Sequence, residues 1–246
     1  MKKENDLDKF SGDFKNHIDN ILKNSDSDGI FEKISERHNI YIFSGVTRDF
    51  FLKNKNSEIR DLDLVIEEKD DSLKITDNPS KIDLLINEIK STNSNHICRK
   101  NSFGGCKIKR SNLSIDLWYL EDTWGIKEKQ IAIKPESLLE TTFFNFSSIV
   151  FDYMNLRFIY NEVFKDFIDS KKMDVVFEKN PSNALCIINS MYYSKKLKFE
   201  LSDKLKHWIR NNYREDLNFI EVQNKHFSKE IFNSDEILNF VNLLTK

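Results

Sequence analysis

Asp61 and Asp63 occupy alternate positions of an otherwise apolar run, Arg60-Asp61-Leu62-Asp63-Leu64-Val65-Ile66. In a strand, alternate side chains share a face, so the two carboxylates point the same way, about 7 Å apart. A hydrophobic core has no use for two like charges. A divalent cation does: oxygen-rich carboxylate sites suit Mg²⁺, with Mn²⁺ as a substitute. A third carboxylate interrupts a second β-forming run, Ser114-Ile115-Asp116-Leu117-Trp118-Tyr119-Leu120. If that run lies beside residues 61–66, Asp116 completes a trio able to hold two ions roughly 3.5–4 Å apart. Asp61, Asp63 and Asp116 are therefore the candidate metal ligands and catalytic carboxylates. The competing structural readings are a solvated edge strand for the pair and a backbone-satisfied buried aspartate for Asp116. Leu62, Leu64, Val65 and Ile66 look too apolar for a solvated edge.

Just upstream, Ile40-Tyr41-Ile42-Phe43 runs into Ser44-Gly45 and then Val46-Thr47-Arg48-Asp49. That is a strand, a sharp turn and the opening of a helix. Backbone N–H groups at such a turn can cradle phosphate oxygens, aided by the helix dipole. Arg48, in the first helical turn, can pair with a phosphate. The plain alternative is a turn that only connects two elements. Phe103-Gly104-Gly105 has the same ambiguity, and a simple lead-in to the next strand is favoured over a close approach to a ligand. His38, His96 and His226 are isolated, and no spacing suggests a zinc site or a Ser-His triad.

The elements that must position these residues follow from periodicity. Residues 6–24 and a segment after Ser27-Asp28 read as helices, and 40–43 and 61–66 as strands. A charged loop follows at 67–71, and then a helix begins after Ser80. Strands at 106–109 and 113–120 flank a turn at Arg110-Ser111-Asn112. A short strand is expected at 131–133 and a hairpin over 144–160. From Pro181 onward the pattern is helical: 184–193, 203–213, 216–225 and 235–244, the last capped by Ser234. The expected division is a mixed α/β front, residues 1–170, and an all-helical rear, residues 171–246. Within the rear, Lys206, Arg210 and Arg214 fall four apart, a stripe that could follow an RNA backbone.

The 246 residues suffice for a sizeable core, and 39% hydrophobic with 32% charged content excludes a disordered chain. A formal net charge of -2 confines any nucleic-acid contact to a local patch. No run approaches the roughly 20 apolar residues of a membrane span, and Met1-Lys2-Lys3-Glu4 leads into no signal-like segment. Cys98, Cys106 and Cys186 are scattered, as expected of reduced thiols in a cytoplasmic protein.

Taken together, the residues resemble the head domain of class II CCA-adding tRNA nucleotidyltransferases and bacterial poly(A) polymerases. In that family a strand precedes a Gly-Gly-x-Val-Arg-Asp turn and then an Asp-x-Asp strand. Here the turn is Ser44-Gly45-Val46-Thr47-Arg48-Asp49 and the pair is Asp61-Leu62-Asp63. The stretch from Asn180-Pro181-Ser182-Asn183 to Phe199 is similar to the family's neck. The resemblance implies an α+β fold, a nucleotidyltransferase mixed sheet flanked by helices, followed by a small all-helical domain. It implies that Ser44 and Gly45 hold a triphosphate, that Arg48 and Asp49 contact phosphate or sugar, and that Asp61 and Asp63 bind Mg²⁺. The implied activity moves a nucleoside monophosphate from a nucleoside triphosphate, ATP among the candidates, to an acceptor hydroxyl. The first choice of acceptor is an RNA 3′ end. A protein or small-molecule hydroxyl, and a non-catalytic binding module, stay open as alternatives. The family's Glu-Asp-x-x-Arg nucleobase reader is replaced by Lys179-Asn180-Pro181-Ser182-Asn183, which points away from a housekeeping CCA-adding role.

Overall fold

The computed structural model describes residues 6–43, 45–52, 59, 61–69, 80–92 and 97–244. Met1 to Glu4, Ser44, Arg60 and His96, named above, lie outside the described residues, as do positions 70 and 71 of the expected loop. The chain forms two compact units. The first comprises Met1–Thr141 with Ser147–Asn161, and the second Thr142–Phe146 with Glu162–Lys246.

The first unit opens with helices α1 (Ser11–Asn24) and α2 (Asp28–Arg37), then strand β1 (His38–Phe43) and helix α3 (Gly45–Phe51). Strand β2 (Asp61–Glu68), helix α4 (Lys81–Thr92) and strands β3 (Ile97–Lys100), β4 (Cys106–Arg110) and β5 (Leu113–Tyr119) follow. Helix α5 (Trp124–Lys129) and the hairpin β6 (Ile149–Asp152) and β7 (Arg157–Tyr160) complete it. The seven strands make one sheet in the order β3-β4-β5-β2-β1-β6-β7. β2 pairs in parallel with β5, and every other pairing is antiparallel.

β2 is thus the central strand, which explains its apolar run: Leu62, Leu64, Val65 and Ile66 are fully buried. One sheet face, carrying Ile42, Leu62, Leu64, Ile115 and Leu117, is buried. On β6, Phe151 pairs with Ile42 and meets Phe14 of α1 edge-on at 4.8 Å. The other face is covered over only part of its area. There Tyr41, Val65 and Val150 pack with Leu120, Ile126, Leu138 and Leu139, and Trp118 joins them partly buried.

The expected strand at 131–133 does not form. Gln130 adopts a left-handed conformation at the end of α5, and the N–H of Ile131 bonds back to the Ile126 carbonyl. That Schellman-type closure spends the donor a strand would need. The predicted strand over 144–151 begins only at Ile149, because the segment before it joins the second unit. There Phe144 bridges Val175, while the Asn145 side chain donates to the Lys172 carbonyl and accepts from the Asp174 N–H. The loop expected at 67–71 starts later, since Glu67 and Glu68 extend β2 opposite Asn39 and His38.

The second unit continues with α6 (Glu162–Ser170), which the periodicity did not reveal, then β8 (Lys172–Met173), α7 (Asn183–Leu197), β9 (Glu200–Leu201), α8 (Asp203–Asn212), α9 (Phe219–Phe227) and α10 (Ser234–Leu243). α10 is capped by Asn233 rather than Ser234: the Asn233 side chain accepts from the Glu236 N–H and the Glu236 carboxylate from the Asn233 N–H. α9 starts at Phe219 because Asn218 is its cap. Among the described residues, no helix is long and apolar enough to cross a membrane.

Candidate active site

Residue pairing across the sheet assembles the site. Along parallel β2 and β5, Asp61 lies opposite Ser114, Asp63 opposite Asp116 and Val65 opposite Trp118. Paired residues share a face, and alternate residues share it again. The three candidate carboxylates therefore stand on one face of the sheet. β4 runs antiparallel on the far side of β5 and sets Lys107 opposite Asp116, while Phe43 of β1 lies opposite Asp63. A single row across four strands reads Phe43, Asp63, Asp116, Lys107. The next row, Tyr41, Val65 and Trp118, is sealed beneath Ile126, Leu138 and Leu139. The face opens to solvent at the Asp61 end, where the Asp61 side chain is 61% exposed and that of Asp116 23%, while Asp63 between the strands is largely buried.

Lys107 was not singled out by sequence reasoning, though a signal existed. The hairpin pairs Arg110 with Leu113, and stepping back along both arms brings Lys107 against Asp116. Its Nζ lies 2.8 Å from Asp116 Oδ2 and 3.9 Å from Asp61 Oδ1. Burial pulls this ammonium down, but the bond to Asp116 and the charges of Asp116, Asp61 and Asp63 hold it above the ordinary lysine value. On Asp63 burial acts in the other direction. Burial first, then the charges of Asp116 and Asp61, push its carboxyl up to about 7, against the milder pull of Lys107 and Arg48. Among the described residues, Ser114 Oγ, opposite Asp61, is buried with no hydrogen-bond partner.

The turn after β1 brings Gly45 and Arg48 toward this row, since Phe43 pairs with Asp63 and α3 opens two residues later. A Cβ at Gly45 would meet Arg48 Nη2 at 3.8 Å, an ordinary contact. Arg48 is buried, and its Nε donates to Asp49 Oδ1 at 2.7 Å. Gly105 has a structural role: a Cβ there would sit 2.6 Å from the Leu117 carbonyl oxygen and 2.9 Å from Trp118 Cβ. The glycine lets this loop lie directly on the β5 backbone. His38 is buried, with Nδ1 3.1 Å from the Ile34 carbonyl and Nε2 3.2 Å from the Tyr119 hydroxyl. The adjoining cavity of about 300 Å³ is at the opposite end of the strands from the carboxylates, among charges already paired, such as Lys81 with Glu68 at 2.9 Å.

The carboxylate trio fits a hard divalent cation by donor type. Among the described residues no three His, Cys, Asp or Glu side chains form a ready-made cage.

In the second unit the expected basic stripe is not continuous. α8 ends at Asn212, so Arg214 leaves the helical face and donates to the Asn211 and Tyr213 carbonyls. Arg210 donates to the Leu244 carbonyl, and Lys206 pairs with Asp203 at 3.1 Å. Lys206 instead shares a cavity of about 390 Å³ with Lys172, Lys195 and Phe199.

No family model matches the chain, and no curated protein matches it. Solved structures do. A tRNA-processing enzyme with CTP aligns at 16% identity and TM-score 0.58, over 85% of this chain and 53% of its own. A tRNA nucleotidyltransferase with a primer tRNA and an incoming ATP analogue aligns at 16% identity and TM-score 0.56, over 85% and 58%. The Thermotoga maritima CCA-adding enzyme complexed with tRNA aligns at 11% identity and TM-score 0.55, over 98% and 50%. At such identities the likeness establishes the architecture: a nucleotidyltransferase fold followed by a helical region. The chain spans about half the length of the proteins it matches.

Proposed function

We propose that this chain is a nucleotidyltransferase that transfers a nucleoside monophosphate from a nucleoside triphosphate to an acceptor hydroxyl at an RNA 3′ end. The observation that carries this reading is the register that sets Asp63 beside Asp116, with Asp61 two residues along, on the open part of one sheet face. The fold likeness to proteins solved with CTP, an ATP analogue and tRNA supports the choice of substrate classes. Asp61, Asp63 and Asp116 would hold Mg²⁺, which when bound lowers the pKa of an acceptor hydroxyl and neutralises triphosphate charge. The Gly45 backbone and Arg48 orient the β- and γ-phosphates for an in-line displacement. Asp116 accepts the proton of the acceptor hydroxyl. The acceptor oxygen then bonds to the α-phosphorus, the α–β anhydride bond breaks, and pyrophosphate leaves. The basic cavity at Lys172, Lys195 and Lys206 supplies positive charge for an RNA backbone in a chain whose net charge is slightly negative.

The test is incubation with each α-labelled nucleoside triphosphate, Mg²⁺ and total RNA, alongside the double variant Asp61→Ala/Asp63→Ala. Label should enter RNA with the wild type and fall to background with the variant. Equal transfer by both proteins refutes the site. Label on the protein itself moves the acceptor to a protein hydroxyl, and no label anywhere identifies a binding module that has lost activity.

A further inference from the structure

The carboxylate row ends on a cation that the fold fixes in place. Lys107 and Asp116 are direct partners across an antiparallel pair, so their Cβ atoms are held roughly 4.5–5.5 Å apart whatever the side chains do. The ammonium reaches carboxylates of two different strands, Asp116 at 2.8 Å and Asp61 at 3.9 Å. In a two-ion site Asp116 and Asp61 are residues that would help hold an acceptor-side ion. Among the described residues, the other cation acting on Asp63 is Arg48, and it pairs with Asp49.

We propose that Lys107 takes the place of the acceptor-side ion, so that the site admits one divalent cation, at Asp61 and Asp63, instead of two. This rests on the nucleotidyltransferase reading and narrows its two-ion expectation. Charge balance favours it: once a bound cation has displaced the Asp63 proton, three carboxylates and the Lys107 ammonium leave two negative charges, which one divalent cation neutralises. Lys107 is then a positioning residue. It donates to Asp116 and keeps that carboxylate turned toward the neighbouring strand, where the acceptor hydroxyl must arrive to lose its proton.

Counting bound Mn²⁺ by electron paramagnetic resonance, without nucleotide, tests this on the full chain. Wild type and Lys107→Arg should each bind one ion. Lys107→Met should bind two, or bind the first at least tenfold more tightly. Lys107→Gln replaces the methionine variant if circular dichroism shows the latter unfolded. An unchanged stoichiometry with affinity within twofold of wild type overturns the proposal while leaving the metal site standing. So does a Lys107→Arg protein that behaves like Lys107→Met. If neither wild type nor Lys107→Met binds Mn²⁺, the metal-site reading falls and takes this proposal with it.

Discussion

Replacing Asp63 by asparagine should stabilise the protein at neutral and higher pH, and not near pH 4. The carboxyl releases its proton near 3.8 in the unfolded chain and near 7 in the fold, because burial and then the charges of Asp116 and Asp61 oppose ionisation. Between those values the folded protein binds more protons than the unfolded one. Its stability therefore declines as pH rises from about 4 to about 7 and stays at the lower level above that. The gap is about three pH units, at about 1.36 kcal/mol each, or about 4 kcal/mol in a dry site. The Asp61 side chain is 61% exposed, so water reaches the row and screening cuts the effect to about 2 kcal/mol. An asparagine has no charge to confine. For a chain of this size Asp63→Asn should raise the melting midpoint by about 4–8 °C at pH 8 in EDTA. Near pH 4 the two proteins should melt together. Saturating Mg²⁺ should reverse the order at pH 8 by stabilising wild type alone, since a ligand that binds only the native state adds to its stability. An equal gain at both pH values, or a lower midpoint for the variant at pH 8 in EDTA, would refute this account of the site.

Two further outcomes follow from packing. Gly105→Ala drives a methyl group to 2.6 Å from the Leu117 carbonyl oxygen, so urea denaturation should show a loss of about 1–3 kcal/mol and a displaced start of β4. In the second unit, Gln223 is fully buried; its Nε2 donates to the Phe232 carbonyl at 3.0 Å, and its Oε1 accepts from the N–H groups of Ile231 at 3.0 Å and Phe232 at 2.8 Å. Gln223→Ala strands the buried Phe232 N–H and carbonyl and the part-buried Ile231 N–H, and should cost about 2–4 kcal/mol, with faster hydrogen exchange at Ile231 and Phe232.

The residues proposed to do chemistry were legible in the sequence because charge inside an apolar strand is conspicuous. Asp61, Asp63 and Asp116 each interrupt a β-forming run, and period-two alternation alone puts Asp61 and Asp63 on one face. Local backbone chemistry was less visible. The closure at Gln130 and Ile131 that forestalls a strand, and the use of Asn233 as a cap ahead of Ser234, depend on hydrogen bonds that composition does not announce. The basic stripe failed for a related reason: Arg214 keeps the four-residue spacing, but α8 has already ended.

What the sequence determined by itself was the set of acids and the strands that bear them. Only the tertiary structure decided that they meet. β2 and β5 are separated along the chain by α4, β3 and β4, and no local pattern fixes a parallel register across that distance. A one-residue slip in that register would set Asp63 opposite a residue of the buried face, sending the carboxylates to opposite sides of the sheet. The register holds because both strands also carry a fully buried face, Leu62 and Leu64 beside Ile115 and Leu117, whose exposure any slip would require. The hydrophobic burial of one face thus sets the electrostatics of the other.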